Sequence, residues 1–158
     1  MRIAVKIGRG GVFCLPLLLG ASLVSPAGAA DVTVASVVVE PANPAPSTLC
    51  RLKVALKNGG SQAASNFKFD VKVDGQDVAV YKPQTYAVNV DAGKTDEIAL
   101  YNFWSPQTAK PFDVQVTLLT AQWVQVKKEG NTTTTTPAGP VAGLPASGSV
   151  TVKMAAGK

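Results

Sequence analysis

Few side chains in this sequence are equipped for chemistry, and their spacing decides what they could do. There is no histidine, so imidazole acid–base catalysis and histidine metal sites are excluded. Ser65-Asn66-Phe67-Lys68 has the S-x-x-K spacing of serine enzymes that act on β-lactams. That chemistry needs the serine at a helix start with the lysine one turn on, and neither S-D-N nor K-T-G follows. Here Lys68 falls in a strand-like alternation instead. Gly93-Lys94-Thr95 resembles the end of a phosphate loop, but the position that must hold its first glycine is Val88. Asp70, Asp74 and Asp77 surround one turn, and Asp96-Glu97 follows another. Such carboxylates could hold calcium, yet turns favour aspartate without any metal. The expectation is no catalytic residue, no metal site and no cofactor.

The aromatic side chains are the remaining candidates for recognition. Tyr81, Tyr86, Tyr101 and Trp123, with Trp104, could form a platform that stacks on sugar rings or on a partner's apolar side chains. Simple alternation along 98–104 puts Ile98, Leu100 and Asn102 on one side with Trp104, and Tyr101 with Phe103 on the other. On that pattern Trp104 belongs to a core, and the competing assignment for the tyrosines is ordinary packing at strand edges.

The elements that would position these residues are strands. Cys50, Leu52, Val54 and Leu56 alternate with Arg51, Lys53 and Lys57. Phe67, Phe69, Val71 and Val73 alternate with Asn66, Lys68, Asp70 and Lys72, and Phe112, Val114, Val116 and Leu118 repeat the pattern. Period-two alternation marks strands buried on one face. Further strands are expected at 32–39, 95–104, 122–127 and 149–154. Asp74-Gly75 before the segment 77–80 is a hairpin signal. The loop at 41–47 carries three prolines, and 58–65 and 91–94 read as a loop and a turn. No stretch beyond the N-terminus has a convincing helical period. The fold class is therefore all-β, an antiparallel sandwich of about seven strands, with its core in 30–128. Residues 129–148, rich in Thr, Pro and Gly, read as a flexible segment, and 149–158 as a last strand and C-terminus. Asn131-Thr132-Thr133 is formally a glycosylation sequon.

The first 29 residues read as an export signal. Arg2, Lys6 and Arg9 precede an apolar run from Val12 to Val24, and Ala27-Gly28-Ala29 offers the small residues of a cleavage site after Ala29 or Ala30. Phe13 before Cys14 is too large for a lipoprotein signal. Of fifteen Lys+Arg residues three lie in this leader, so twelve remain against ten acids, near +2. With no basic cluster, nucleic acid is not an expected partner. The mature chain has no second apolar run of spanning length. It keeps one cysteine, Cys50, which its place in the alternation assigns to the core as a small hydrophobe; the alternative is an intermolecular disulfide. The expected location is periplasmic or extracellular.

The order of features from Asp31 resembles the bacterial CARDB domain, the cell-adhesion-related domain found in bacteria. The resemblance rests on an aspartate-led strand, the PANP loop, an alternating strand ending in KNGG, an Ala/Ser-rich loop, and an aromatic strand entering a VDG turn. It continues through DAGKTDEIALYNFW and covers roughly residues 31–120. It implies an immunoglobulin-like, seven-stranded sandwich on exported or surface proteins, adhesion or spacer roles, and no shared catalytic residue. The leading expectation is an exported, non-catalytic module that binds an envelope protein or glycan. An alternative is a structural subunit that self-assembles through exposed strand edges. The weakest reading is an enzyme, which without histidine would need Asp/Glu, Tyr or Lys chemistry.

Overall fold

A computed structural model describes residues 30–78 and 84–155. Residues 1–29, expected to be an export signal, and Tyr81 lie outside the described residues. The described chain is all strand: β1 (Val32–Glu40), β2 (Leu49–Asn58), β3 (Ala63–Val73), β4 (Gln76–Asp77), β5 (Thr85–Tyr86), β6 (Thr95–Trp104), β7 (Phe112–Glu129), β8 (Thr132–Pro140) and β9 (Ala146–Val152). They form two antiparallel sheets. One has the order β1-β2-β6; the other has the path β4-β3-β7-β8, with β5 added to β3 and β9 to β7.

The alternation read from the sequence puts the two inner faces together. Cys50, Leu52, Val54 and Leu56 of β2 are fully buried, as are Phe67 and Phe69 of β3 and Val114, Val116 and Leu118 of β7. Burying each such side chain contributes about 1.5–3 kcal/mol. Phe103 meets Phe112 edge-on across the sandwich at 6.2 Å, and within one sheet Phe69 of β3 meets Tyr86 of β5 edge-on at 5.6 Å. The β3–β4 hairpin closes through Asp74 and Gly75, with φ of 50° and 75°. Positive φ at both positions matches the twist of the flanking strands. Asp74 also fixes the start of β7, since its Oδ1 accepts from the Asp113 amide at 2.9 Å.

Bulges change the phase of the alternation, and sequence alone does not place them. In β1 the register slips between Val34 and Ser36, so burial moves from Val32 to Val37 and Val39. Between β2 and β6, Arg51 faces Asn102 while Lys53 faces Ala99. Leu52 therefore opposes both Leu100 and Tyr101, one residue too many, and everything after them is turned over. Leu100 and Phe103 are both buried, and Trp104 is 65% exposed. The expectation that Trp104 is core is corrected here, for that reason.

The other correction concerns 129–148. This segment is not irregular: Thr132–Pro140 is a strand, paired with β7 from Gln122↔Pro140 to Glu129↔Thr132. The expected strands at 112–119 and 122–127 are one strand of 18 residues. Its first half is sandwiched between β3 and β9. Beyond Val124, its last residue paired with β3, it pairs with β8 alone and runs out as a two-stranded arm turned at Gly130-Asn131.

Candidate functional site

Of the aromatic residues singled out in the sequence, the described Tyr86, Tyr101 and Trp123 do not form one surface. Tyr86 is half-buried and joins the two sheets. It pairs with Phe67 in β3, and its hydroxyl donates to the Leu100 carbonyl of β6 at 2.8 Å while accepting from Gln84 Nε2. Burial pushes its phenol above the ordinary range, against the lowering effect of the Gln84 hydrogen bond. Tyr101 follows Leu100 in the chain and packs against the core, so the structure brings Tyr86 and Tyr101 to the same edge of the sandwich. Trp123 is elsewhere, packed over the loop after β2. A Cβ on Gly60 would collide with its ring. That loop is pinned by Asn58, buried at the end of β2, whose Nδ2 donates to the carbonyls of Gln62 at 2.8 Å and Val90 at 2.9 Å. Its Oδ1 accepts from the Gly60 amide at 2.9 Å. A buried amide satisfied on both sides is a structural clamp.

The indole that faces solvent is Trp104. It stands opposite Leu49, itself 48% exposed, as the end pair of β2 and β6 on the outer face of the three-stranded sheet. The next cross-strand row on this face is Glu40, Arg51 and Asn102, and the one after it is Val38, Lys53 and Ala99. Glu40, Pro41, Leu49, Arg51 and Asn102 line a shallow groove of about 460 Å³. Residues diagonal across two strands are about 7–8 Å apart, which puts Arg51 within side-chain reach of Trp104.

The charges of the face are unevenly committed. Lys53 Nζ lies 2.8 Å from Glu40 Oε1 and 3.3 Å from Glu97 Oε1. Its hydrogen bonds to the two carboxylates hold the ammonium charged above the ordinary lysine range. Arg51 makes no ion pair among the described residues. The backbone beneath is held firmly. Ser105, buried just after Trp104, donates from Oγ to the Ala45 carbonyl at 2.7 Å and accepts from the Thr48 amide at 2.9 Å. Those bonds tie the end of β6 to the proline-rich loop before β2. Cys50, next to Leu49, points the other way and is a free buried thiol. Burial raises its pKa, with a smaller opposing effect from the Ser105 backbone.

Two other grooves lie away from the Leu49–Trp104 pair. One, of about 360 Å³, lies where β1 and β9 meet and is lined by Val37, Val39, Val150 and Val152 among others. The other, of about 410 Å³, lies over the bulge of β3 and β7 and includes Asn66, Lys68, Thr120 and Gln122. The turn carboxylates weighed for calcium are dispersed: Asp74 caps β7, and Asp77 lies 3.7 Å from Lys72 Nζ. Simple alternation favours a core position for Trp104 over a surface one, because the bulge that exposes it leaves no signal in the sequence.

The CARDB family profile matches residues 29–136. The matched stretch takes in β1 to β7 and the first half of β8, and ends before β9. No curated protein matches the chain. Among the described residues no helix is long and apolar enough to cross a membrane.

Proposed function

The chain belongs to the CARDB family, and on that premise we propose that it is an exported, non-catalytic immunoglobulin-like module that binds a protein or glycan at the cell envelope. The family supports an adhesion-related role outside the cell, and the leader features of residues 1–29 support export. The observation that carries the reading is the exposed Leu49–Trp104 pair beside Arg51 and Asn102 on the outer face of β2 and β6. An indole left in water on a rigid sheet forgoes the burial that would stabilise the fold. Trp and Arg are also the side chains most enriched where binding energy concentrates.

A glycan suits this face better than a protein does. The apolar part is two side chains, small for a protein interface. Hydrogen-bonding groups adjoin it directly: the Arg51 guanidinium, the Asn102 amide and the Glu40 carboxylate. A pyranose offers the matching alternation, with C–H groups for the indole and hydroxyls for the polar row. The test is binding of the purified protein to bacterial surface polysaccharides and insoluble cell-wall sacculi. Tryptophan fluorescence and co-sedimentation are the readouts. Trp104→Ala is expected to cut binding by about ten- to a hundredfold while leaving the far-ultraviolet dichroism unchanged. Retention of wild-type binding by Trp104→Ala would sink the assignment of the face.

A further inference from the structure

The arm formed by the end of β7 and the start of β8 is not used by the ligand face, and it is unusual in two respects. Both of its long edges are open among the described residues, because β3 leaves β7 at Val124 and β8 pairs with β7 alone. Every residue from Thr132 to Ala138 is exposed. Open edges carry unpaired backbone donors and acceptors and invite another strand.

The two edges are not equivalent. The β7 edge carries Lys127, Lys128 and Glu129, with Lys127 paired to Glu129 at 2.6 Å. Charges of this kind blunt an edge. The part of β8 nearest the body holds Pro137 and Pro140, which cannot donate to a ladder. Thr132–Thr136 is the longest run on either edge with neither charge nor proline. These five consecutive residues are all threonine, a β-branched type that favours strands. One contact props the arm from the body: Asn89 Nδ2 donates to Thr135 Oγ1 at 3.3 Å.

We propose that Thr132–Thr136 pairs antiparallel with the same segment of a second copy of this chain, joining two arms into one continuous sheet across a two-fold axis. The threonine run is self-complementary. An axis at Thr134 sets Thr132 opposite Thr136 and Thr133 opposite Thr135, so each row is threonine on threonine, a favourable cross-strand pair. The same operation on the β7 edge about Lys127 would set Lys127 against itself, and like charges directly opposite are destabilising. Charge therefore directs the second copy to the β8 edge. The occupant is a copy of this chain and not a foreign peptide, because the segment supplies its own matching partner in both side-chain size and charge. This surface is separate from the Trp104 face and stands or falls without it.

The experiment is sedimentation velocity on the whole exported chain over a concentration series, in reductant, with Thr134→Lys, Thr134→Glu and their equimolar mixture. Thr134 is exposed, so both variants should fold, which circular dichroism checks. The wild-type chain is expected to dimerise. Each variant alone should show a dimer dissociation constant raised about tenfold. The mixture should recover the wild-type constant, because lysine then faces glutamate on the axis. A wild-type chain that stays monomeric overturns the proposal. So does a dimer indifferent to both variants, which would lie on another surface. So does a weakening that the mixture fails to reverse, or a peptide of unrelated sequence that protects the Thr132–Thr136 amides while the chain alone does not.

Discussion

Strand β7 passes through two environments along its 18 residues. In the first, Val114, Val116 and Leu118 are fully buried between the sheets, and β3 and β9 flank the strand on both sides. In the second, Lys127, Lys128 and Glu129 are exposed and β8 is the one partner. The first half is held by apolar burial; the second is held by a backbone ladder and cross-strand threonine contacts. The difference teaches that strand geometry here does not require a core. A hydrogen-bonding neighbour continues the strand well past the point where burial ends, and what extends past the body is then free to meet another molecule.

The sharpest way to test this contrast is to truncate one residue in each half. Leu118→Ala is expected to destabilise the chain by about 2–5 kcal/mol in urea unfolding, since it empties a packed site. Val126→Ala, half-buried in the arm, should cost less than about 1 kcal/mol. Equal losses would mean that the arm folds as part of the core. A smaller effect is expected at the joint between the two regions, where Trp123 lies over Gly60. Gly60→Ala forces the indole to shift and should cost about 1–3 kcal/mol. The paired variant Gly60→Ala with Trp123→Leu should recover part of that loss if the ring is the obstacle. Unaltered stability in the single variant would show that the loop moves freely and that the Asn58 clamp does not hold it.

The smallest effect belongs to Cys50 and is read through pH. Its thiol keeps its proton in the folded chain beyond the ordinary range, because burial disfavours the thiolate. The unfolded chain ionises at the ordinary value. The resulting stability is fully present below the ordinary thiol pKa and is lost as pH rises from there through the folded value. Denaturation midpoints of the wild type should therefore fall more steeply in alkali than those of Cys50→Val. Iodoacetamide should label Cys50 rapidly in urea and slowly in the native state. Rapid native labelling, or a dimer that reductant abolishes, would place the thiol at the surface.

Much of the core is legible in the amino-acid sequence. In β2, β3 and the first half of β7 the alternation names the buried face residue by residue, Cys50 included, and Asp74-Gly75 marks its hairpin. The family is legible too, because the PANP loop, the KNGG strand end and the VDG turn occur in order along the chain. The arm is not. Thr132 to Pro140 contains no apolar alternation, and its composition suits a linker as well as a strand. Nor is the exposed indole of the candidate site, whose position depends on a bulge that leaves no mark in the pattern.

By itself, the sequence determined local facts: the charge and apolar run of residues 1–29, the turn residues, and which neighbours along a strand must face opposite ways. It could do so because the period of two is a property of the backbone. The tertiary structure alone decided where that phase resets and where a strand continues without burial. The β6 bulge exists only because Leu52 of a neighbouring strand faces two residues at once, and it turned Phe103 inward and Trp104 outward. Likewise the threonines of β8 became a strand because β7 was already extended beside them. Strand propensity is decided by the neighbour against which the residue packs, and in both cases that neighbour lies on another strand.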